Sequence, residues 1–227
     1  YSIASSVADA PLIASGPAVN RVSFVGRYIA EGTERNDIPF RFYILDTDRV
    51  NAVSCPGGYI ILTRGLLETL SAEAELAALL AHEMAHVIAG HAMTEVIDDR
   101  SRIQADDAFA AHDEELDNDP AEDEELIGIT NRAPSIAKSP KLDEYEFEAD
   151  RMALRYLARS GYDLNGLSRL LVKMKERHGE NADMFDLNYR NHPDVEKRMQ
   201  RFAEGVKEYR QSTGQAFAGG FWENMVF

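Results

Sequence analysis

Three polar side chains interrupt an apolar stretch of the chain, ELAALLAHEMAHVIAGH, which spans residues 75–91. His82 and His86 are four residues apart, so on a helix their imidazoles lie on one face and can bind the same cation. Glu83 lies about 100° further round the helix, where its carboxylate can reach a water molecule beside that cation. Buried polar groups cost free energy unless they are satisfied. The HExxH spacing therefore indicates a zinc site with Glu83 as general base, the alternative being ordinary hydrogen-bonded core residues.

A catalytic zinc needs a third protein ligand and a fourth position that stays open for water. The segment EYEFEAD contains the candidates. Glu146 and Asp150 are four residues apart and share a helix face, whereas Glu148 points elsewhere and is interpreted as a surface or helix-packing residue. Glu146 is therefore the predicted third ligand, and Asp150 a carboxylate that accepts the free imidazole N–H of a ligand histidine. A solvated helix residue at Glu146 is the alternative that its spacing alone leaves open.

The helix that carries the two histidines is predicted from Ala72 to about His91, with Ser71 as its N-cap and acidic residues in its first turn. Its pattern also allows an extension to about Ile103. LDEYEFEADRMALRYLARSG predicts a second helix that ends at Gly161, and LNGLSRLLVKMKERHG predicts a third. A fourth helix, PDVEKRMQRFAEGVKEYRQ, begins with Pro193 in its first turn.

Strands are predicted upstream of the histidine helix. RVSFVGRYIA and PFRFYILDT alternate and contain β-branched and aromatic residues, which indicates two strands joined by the turn EGTERND. The Pro-Gly-Gly of NAVSCPGGYIILTRGLLETL predicts a turn, YIILT a short strand and RGLLETL a short helix. The expected fold is α+β and predominantly helical, with a small sheet flanking the helix of the HExxH motif.

The domain organisation is predicted as an extended lead-in over residues 1–20 and a single domain over 21–227, with an acidic insertion at about 105–141. The chain begins at Tyr1 and contains no signal peptide, so we expect a processed or trimmed product. It has no apolar run long enough to span a bilayer. Cys55 is its only cysteine, so no internal disulfide forms, and the compartment stays open.

Charge excludes one class of partner. The net charge is -15, and between Asp98 and Glu125 thirteen Asp or Glu face two Arg. Nucleic acid binding needs clustered Lys and Arg, so no nucleic acid partner is expected. The acidic segment is interpreted as a solvated loop, as a calcium site that lacks the EF-hand spacing, or as a lid that brings His112 or a carboxylate to the zinc.

Four segments, in order along the chain, resemble the HtpX-like and CAAX-prenyl-protease zinc metallopeptidases of family M48, in their soluble bacterial branch. They are NAVSCPGGYIILTRGLL, AHEMAHVIAGH, EFEADRMA and NHPDVEKRMQRF, which together span residues 51–202. The resemblance implies a zincin-like fold with one Zn²⁺ per chain. By this resemblance His82, His86 and Glu146 are the zinc ligands, and Glu83 is the catalytic base.

The resemblance implies further residues of the site. His192, before a helix-opening proline, would stabilise the oxyanion or occupy the open coordination position, the alternative being a plain N-cap contact. The substrate peptide would pair with the exposed edge of the strand at Gly57, Gly58, Tyr59, Ile60 and Ile61, the two glycines otherwise forming an ordinary turn. A thiol at Cys55 can ligate or inhibit zinc, but a packed small residue is the simpler interpretation.

We therefore expect a zinc-dependent metalloendopeptidase that cleaves unfolded or misassembled proteins, as the resemblance implies for quality-control members. The expected partners are such polypeptides and a membrane-protein or outer-membrane assembly machinery. The resemblance also implies a periplasmic location or association with the membrane on its periplasmic side. The alternative is a zinc-stabilised, chaperone-like or autoinhibited binding domain with little proteolytic activity. A prenylated substrate is disfavoured because the chain lacks a membrane-embedded chamber.

Overall fold

The computed structural model describes residues 10–91, 140–180 and 195–213. Its elements, in chain order, are α1 (Pro17–Glu31), β1 (Arg41–Leu45), β2 (Ala52–Cys55), β3 (Tyr59–Thr63), α2 (Arg64–Leu67), α3 (Glu73–Ala89), α4 (Pro140–Arg159), α5 (Gly166–Glu180) and α6 (Val195–Thr213). Helices dominate and one three-stranded sheet accompanies them, which confirms the predicted fold class. Among the helices of these ranges, none has the length and hydropathy needed to cross a membrane.

Residues 21–30 form most of helix α1, so the strand predicted there is wrong. The buried positions of this helix recur at helical spacing: Val22, Val25, Gly26 and Ile29. Phe24 and Tyr28, which gave the segment its alternating appearance, are exposed. Helix α1 begins at Pro17, a residue suited to a first turn, so the last residues of the predicted lead-in over 1–20 are helical.

The sheet has the strand order β1-β3-β2. Strand β3 pairs in parallel with β1 and antiparallel with β2, and the register joins Tyr59 to both Arg41 and Cys55. Gly57 and Gly58 both have φ of 88°, a conformation that favours glycine, and they form the predicted turn between β2 and β3. Strand β3 is thus central, and β2 lies at an edge of the sheet as far as the described residues show.

Helix α3 packs against α1, α5 and strand β2, and its side chains from Leu76 to Ala85 are buried. It begins one residue later than predicted, and Ala72, not Ser71, is the N-cap residue. The backbone N–H of Ser71 instead donates to the Glu75 carboxylate at 2.8 Å. The helix ends at Ala89, before a left-handed Gly90 and short of the predicted His91, and residues 92–103 of the possible extension lie outside the described residues.

Helices α4, α5 and α6 confirm the three helices predicted in the C-terminal half. Gly161 has φ of 72° just after α4, as expected for its C-terminal end. Gly166 opens α5 in close contact with α3, since a Cβ there would lie 2.2 Å from the Ala74 carbonyl oxygen. Most of the predicted acidic insertion and the first turn at Pro193 lie outside the described residues, which leave out 92–139 and 181–194.

Candidate metal centre

Helix α3 brings the two histidines of the HExxH motif together, as their spacing predicts. The Nε2 atoms of His82 and His86 are 3.1 Å apart. His82 is 6% exposed, and the side chain of His86 is 15% exposed. Two imidazole nitrogens at this distance need a proton or a cation between them, because their lone pairs repel.

Helix α4 adds the carboxylate of Glu146. One of its oxygens lies 3.3 Å from Nε2 of His82, and the other lies 3.3 Å from Nε2 of His86. Glu146 is 7% exposed, so the alternative of a solvated surface residue is wrong. Within the described residues, these three side chains form a group that could hold a metal ion, with ligand atoms all within 4.8 Å of one another.

The donor atoms of this group approach one another about as closely as those of a tetrahedral zinc site. Ligand atoms that each lie about 2.1 Å from a tetrahedral zinc are separated from one another by about 3.4 Å. The two Nε2 atoms are 3.1 Å apart, and each of them lies 3.3 Å from a different oxygen of the Glu146 carboxylate. Two imidazoles and one carboxylate are also a common ligand set of catalytic zinc. With ligand atoms that all lie within 4.8 Å of one another, the residues present therefore fit a Zn²⁺ ion.

A buried ion pair between Asp150 and Arg198 contacts two of these three side chains. Oδ1 of Asp150 lies 2.9 Å from Nδ1 of His82, on the side of the ring that faces away from Glu146. Arg198 of helix α6 donates to both oxygens of Asp150, at 2.7 and 2.8 Å, and its Nη1 lies 3.0 Å from Glu146. Asp150 thus lies where the sequence predicts, whereas the sequence gives no indication that Arg198 is buried.

The charges of this cluster favour a positive charge among the three ligands. Burial lowers the pKa of His82, but contacts with Asp150 and Glu146 outweigh burial and raise it to about 10. Burial also raises the pKa of Asp150, but the Arg198 guanidinium outweighs it and holds that pKa below its usual range. A cation bound at the triangle would replace the proton that His82 otherwise retains.

Glu83 lines a cavity of about 260 Å³ beside His82. The cavity wall is formed mainly by apolar side chains of α3 and α5, including Leu79, Leu167, Leu171 and Met174. Burial raises the pKa of the Cys55 thiol, and the charge of Glu83 raises it further. Glu83 therefore lies beside the cavity, and its charge reaches strand β2 at Cys55.

The second histidine of the motif, His86, contacts His91, which the sequence analysis does not predict. Nδ1 of His91 lies 3.0 Å from Nδ1 of His86, and Nε2 of His91 lies 3.4 Å from the Glu148 carboxylate. The ring of Tyr145 stacks on that of His91 at 4.4 Å and 16°. Burial lowers the pKa of His91, and the neighbouring His86 lowers it further. Glu148 keeps a side chain that is 45% exposed, in line with its predicted place on the helix surface.

The strand predicted to bind substrate has no free edge. Tyr59, Ile60 and Ile61 belong to β3, whose two edges are paired with β1 and β2 along its length, and Gly57 and Gly58 precede it in the turn. The expectation of an exposed edge at these residues is therefore wrong. Strand order depends on contacts far apart in sequence, which the local pattern does not contain. His192 and His112 lie outside the described residues.

Comparison with known proteins finds relatives of this chain. The chain is 25% identical over 172 residues to a beta-barrel assembly-enhancing protease of Yersinia pestis, which covers 75% of the chain and 35% of the relative. It is 24% identical over 179 residues to that of Escherichia coli, covering 78% and 37%. It is 25% identical over 206 residues to the mitochondrial metalloendopeptidase OMA1 of Schizosaccharomyces pombe, covering 91% and 58%.

The matched part of the chain spans about a third of the length of the first two relatives, which are therefore longer proteins. A model of peptidase family M48 matches residues 19–206. That range contains the three residues of the ligand triangle together with Glu83, Asp150 and Arg198. It covers well over half of the chain, and with the geometry of the triangle it settles the family. The chain belongs to peptidase family M48.

Proposed function

We propose that this chain is a zinc-dependent metalloendopeptidase in which His82, His86 and Glu146 bind one Zn²⁺ ion. The close approach of two imidazole nitrogens and one carboxylate, with ligand atoms all within 4.8 Å of one another, is the observation that supports this assignment. Membership of family M48 supports it independently. The proposed architecture is a single peptidase domain over residues 21–227, into which the acidic segment at 105–141 is inserted.

Bound zinc supplies Lewis acidity, which polarises a peptide carbonyl and lowers the pKa of water. Glu83 then acts as the base that removes a proton from the attacking water and delivers it to the leaving amine. Its position supports this role, since it follows His82 on the helix and lines the cavity together with His82. His192 is proposed to stabilise the oxyanion, on the strength of the family resemblance alone.

Asp150 is proposed to fix the orientation and tautomer of His82. With its carboxylate 2.9 Å from Nδ1, it accepts that proton and leaves the Nε2 lone pair for the metal. Arg198 holds the Asp150 carboxylate by two hydrogen bonds, and it also balances the charge of Glu146. The cluster is therefore built to present a basic imidazole at a fixed position.

Substrate is proposed to bind along strand β2 rather than β3. Strand β2 pairs only with β3 among the described residues, and Asn51 and Ala52 line the cavity together with Glu83. An extended peptide at this edge would gain main-chain hydrogen bonds that are nearly independent of sequence. A substrate side chain would then enter the apolar cavity beside His82.

Unfolded or misassembled polypeptides are the proposed substrates, in protein quality control. The names of the relatives support this class, because two are beta-barrel assembly-enhancing proteases. We extend the proposal to an outer-membrane assembly partner and to a periplasmic or membrane-associated location. The net charge of -15 disfavours nucleic acid as a partner.

Casein digestion tests the proposal and separates it from a zinc-stabilised binding domain. The comparison uses the whole chain, its Glu83→Gln variant and, as a matched control, Glu204→Gln on the exposed face of α6. We expect one zinc per chain in all three by elemental analysis, and roughly a 10²–10⁴-fold loss of casein cleavage in Glu83→Gln alone. Wild-type protein that holds zinc but does not cleave casein would instead support the binding domain.

A further inference from the structure

His91 lies against the face of His86 that points away from the ligand triangle. It follows the left-handed Gly90 at the end of α3, and it is 4% exposed. The rings of His91 and His86 are 4.9 Å apart at 77°, so the edge of one meets the other. The contact joins the two Nδ1 atoms at 3.0 Å, a hydrogen-bonding distance.

The tautomers along this contact follow from the proposed metal site. Nε2 of His86 faces His82 and Glu146, so a cation there takes the Nε2 lone pair and leaves the proton of His86 on Nδ1. Nδ1 of His91 must then be the acceptor, which places the proton of His91 on Nε2. That nitrogen faces a carboxylate oxygen of Glu148 at 3.4 Å.

Two further features concern the orientation of His91 and its place relative to the ligands. The parallel ring of Tyr145 fixes the plane of the imidazole. Nδ1 of His91 contacts Nδ1 of His86, whereas the other nitrogen of His86, Nε2, is the one that faces His82. Accordingly, His91 is not part of the metal-binding group found among the described residues.

We propose that His91 is the positioning residue of His86, and that it works through a relay in which His86 donates to His91 and His91 donates to Glu148. This inference rests on the proposed function, because the tautomer of His86 follows from its being a ligand. His82 and His86 are then oriented by different groups. A buried carboxylate paired with Arg198 orients His82, whereas a neutral imidazole backed by a half-exposed carboxylate orients His86.

Zinc affinity, measured by competition with a chelator, tests the relay without reference to catalysis. The variants are His91→Leu, which removes the acceptor, and His91→Asn, whose amide oxygen can replace Nδ1. We expect His91→Leu to bind zinc roughly 10–100-fold more weakly, and His91→Asn to recover most of that loss. Glu148→Gln should have a smaller effect, and Glu144→Gln, on the exposed face of the same helix, should have none. A folded His91→Leu that binds zinc like wild type would overturn the relay, as would a His91→Asn no better than His91→Leu.

Nitrogen NMR of the histidine rings in zinc-loaded wild-type protein tests the same relay without any variant. We expect His91 as the Nε2–H tautomer and His86 with a slowly exchanging Nδ1 proton. An Nδ1–H tautomer at His91 would overturn the proposal even if His91→Leu fails to fold. Wild-type protein that binds no zinc would refute both the relay and the proposed function. Zinc binding and casein cleavage by wild type, with unchanged affinity in His91→Leu, would refute the relay alone.

Discussion

Helix α3 carries ionisable side chains inside the protein at both of its ends, and their surroundings differ. At the N-terminal end, Glu73 meets Arg21 at 2.5 Å and the Tyr162 hydroxyl at 3.2 Å. Glu75 meets Lys173 at 2.7 Å and accepts the backbone N–H of Ser71. Both carboxylates therefore face cations and hydrogen-bond donors, as expected of buried charges that serve the fold.

Near the C-terminal end of α3, acceptors face one another instead. The Nε2 atoms of His82 and His86 are 3.1 Å apart and each faces an oxygen of Glu146, a carboxylate that Arg198 also contacts at 3.0 Å. This arrangement is unfavourable unless a positive charge occupies the centre. Burial alone does not separate a structural cluster from a metal site. The two kinds of cluster differ in whether their lone pairs point at hydrogen-bond donors or at one another. This difference can be tested by experiment.

The largest expected effect comes from Arg198→Met in zinc-free protein. The free energy of unfolding should fall by about 3–5 kcal/mol, because Asp150 and Glu146 remain buried without their counter-charge. Urea denaturation with and without zinc measures the change, and added zinc should recover part of it. Arg201→Met on the same helix, where the side chain is 55% exposed, should cost less than about 1 kcal/mol. Equal losses in the two variants would contradict a buried charge cluster at the metal centre.

Zinc itself should stabilise only the C-terminal cluster. At a free concentration about 100 times its dissociation constant, zinc should raise the free energy of unfolding by about 2.7 kcal/mol. The gain should vanish in Glu146→Gln, which lacks a charged third ligand, and persist in Glu144→Gln. Thermal or urea unfolding over a zinc titration checks this, with magnesium as a metal that prefers oxygen ligands. Stabilisation that survives in Glu146→Gln would place the zinc elsewhere.

Glu75→Gln should affect the fold and leave the metal site unchanged. The variant loses a charged partner of Lys173, whose side chain is 28% exposed and can be rehydrated. The free energy of unfolding should therefore fall by only about 1.5 kcal/mol. Zinc affinity, measured by chelator competition, should match that of wild type. A weaker affinity would mean that the two ends of α3 are coupled and do not act independently.

Sequence alone predicts those parts of the site that depend on local periodicity. Helix spacing places His82 with His86 and Glu146 with Asp150, because residues four apart share a face. The contacts of Arg198 and His91 are not predicted, for a different reason. Arg198 is one of three arginines on a charged helix, and His91 lies beyond a helix end, so only tertiary packing shows what they contact.

The errors in the fold have the same origin. The apolar residues of α1 fit both an alternating strand pattern and a helical pattern. Packing against the sheet decides in favour of the helix. The segment YIILT is correctly predicted as a strand, but its central place depends on β1, which is distant in sequence. The edge beside the metal centre thus belongs to β2. Local patterns identify the elements here, and non-local contacts decide which of them borders the site.

The smallest expected effect concerns the direction of the Glu83 carboxylate. Cys55 is the only cysteine, so its alkylation by iodoacetamide reports one thiol. Burial raises its pKa first and the charge of Glu83 raises it further, so less thiolate is present at a given pH than in the unfolded chain. Glu83→Gln should therefore speed alkylation, by a factor of roughly two, because burial is unchanged. Glu144→Gln should leave the rate unaltered. If Glu83 were neutralised by a cation, as Glu75 is, its removal would not change the rate, and the contrast between the two ends of α3 would not extend to the catalytic base.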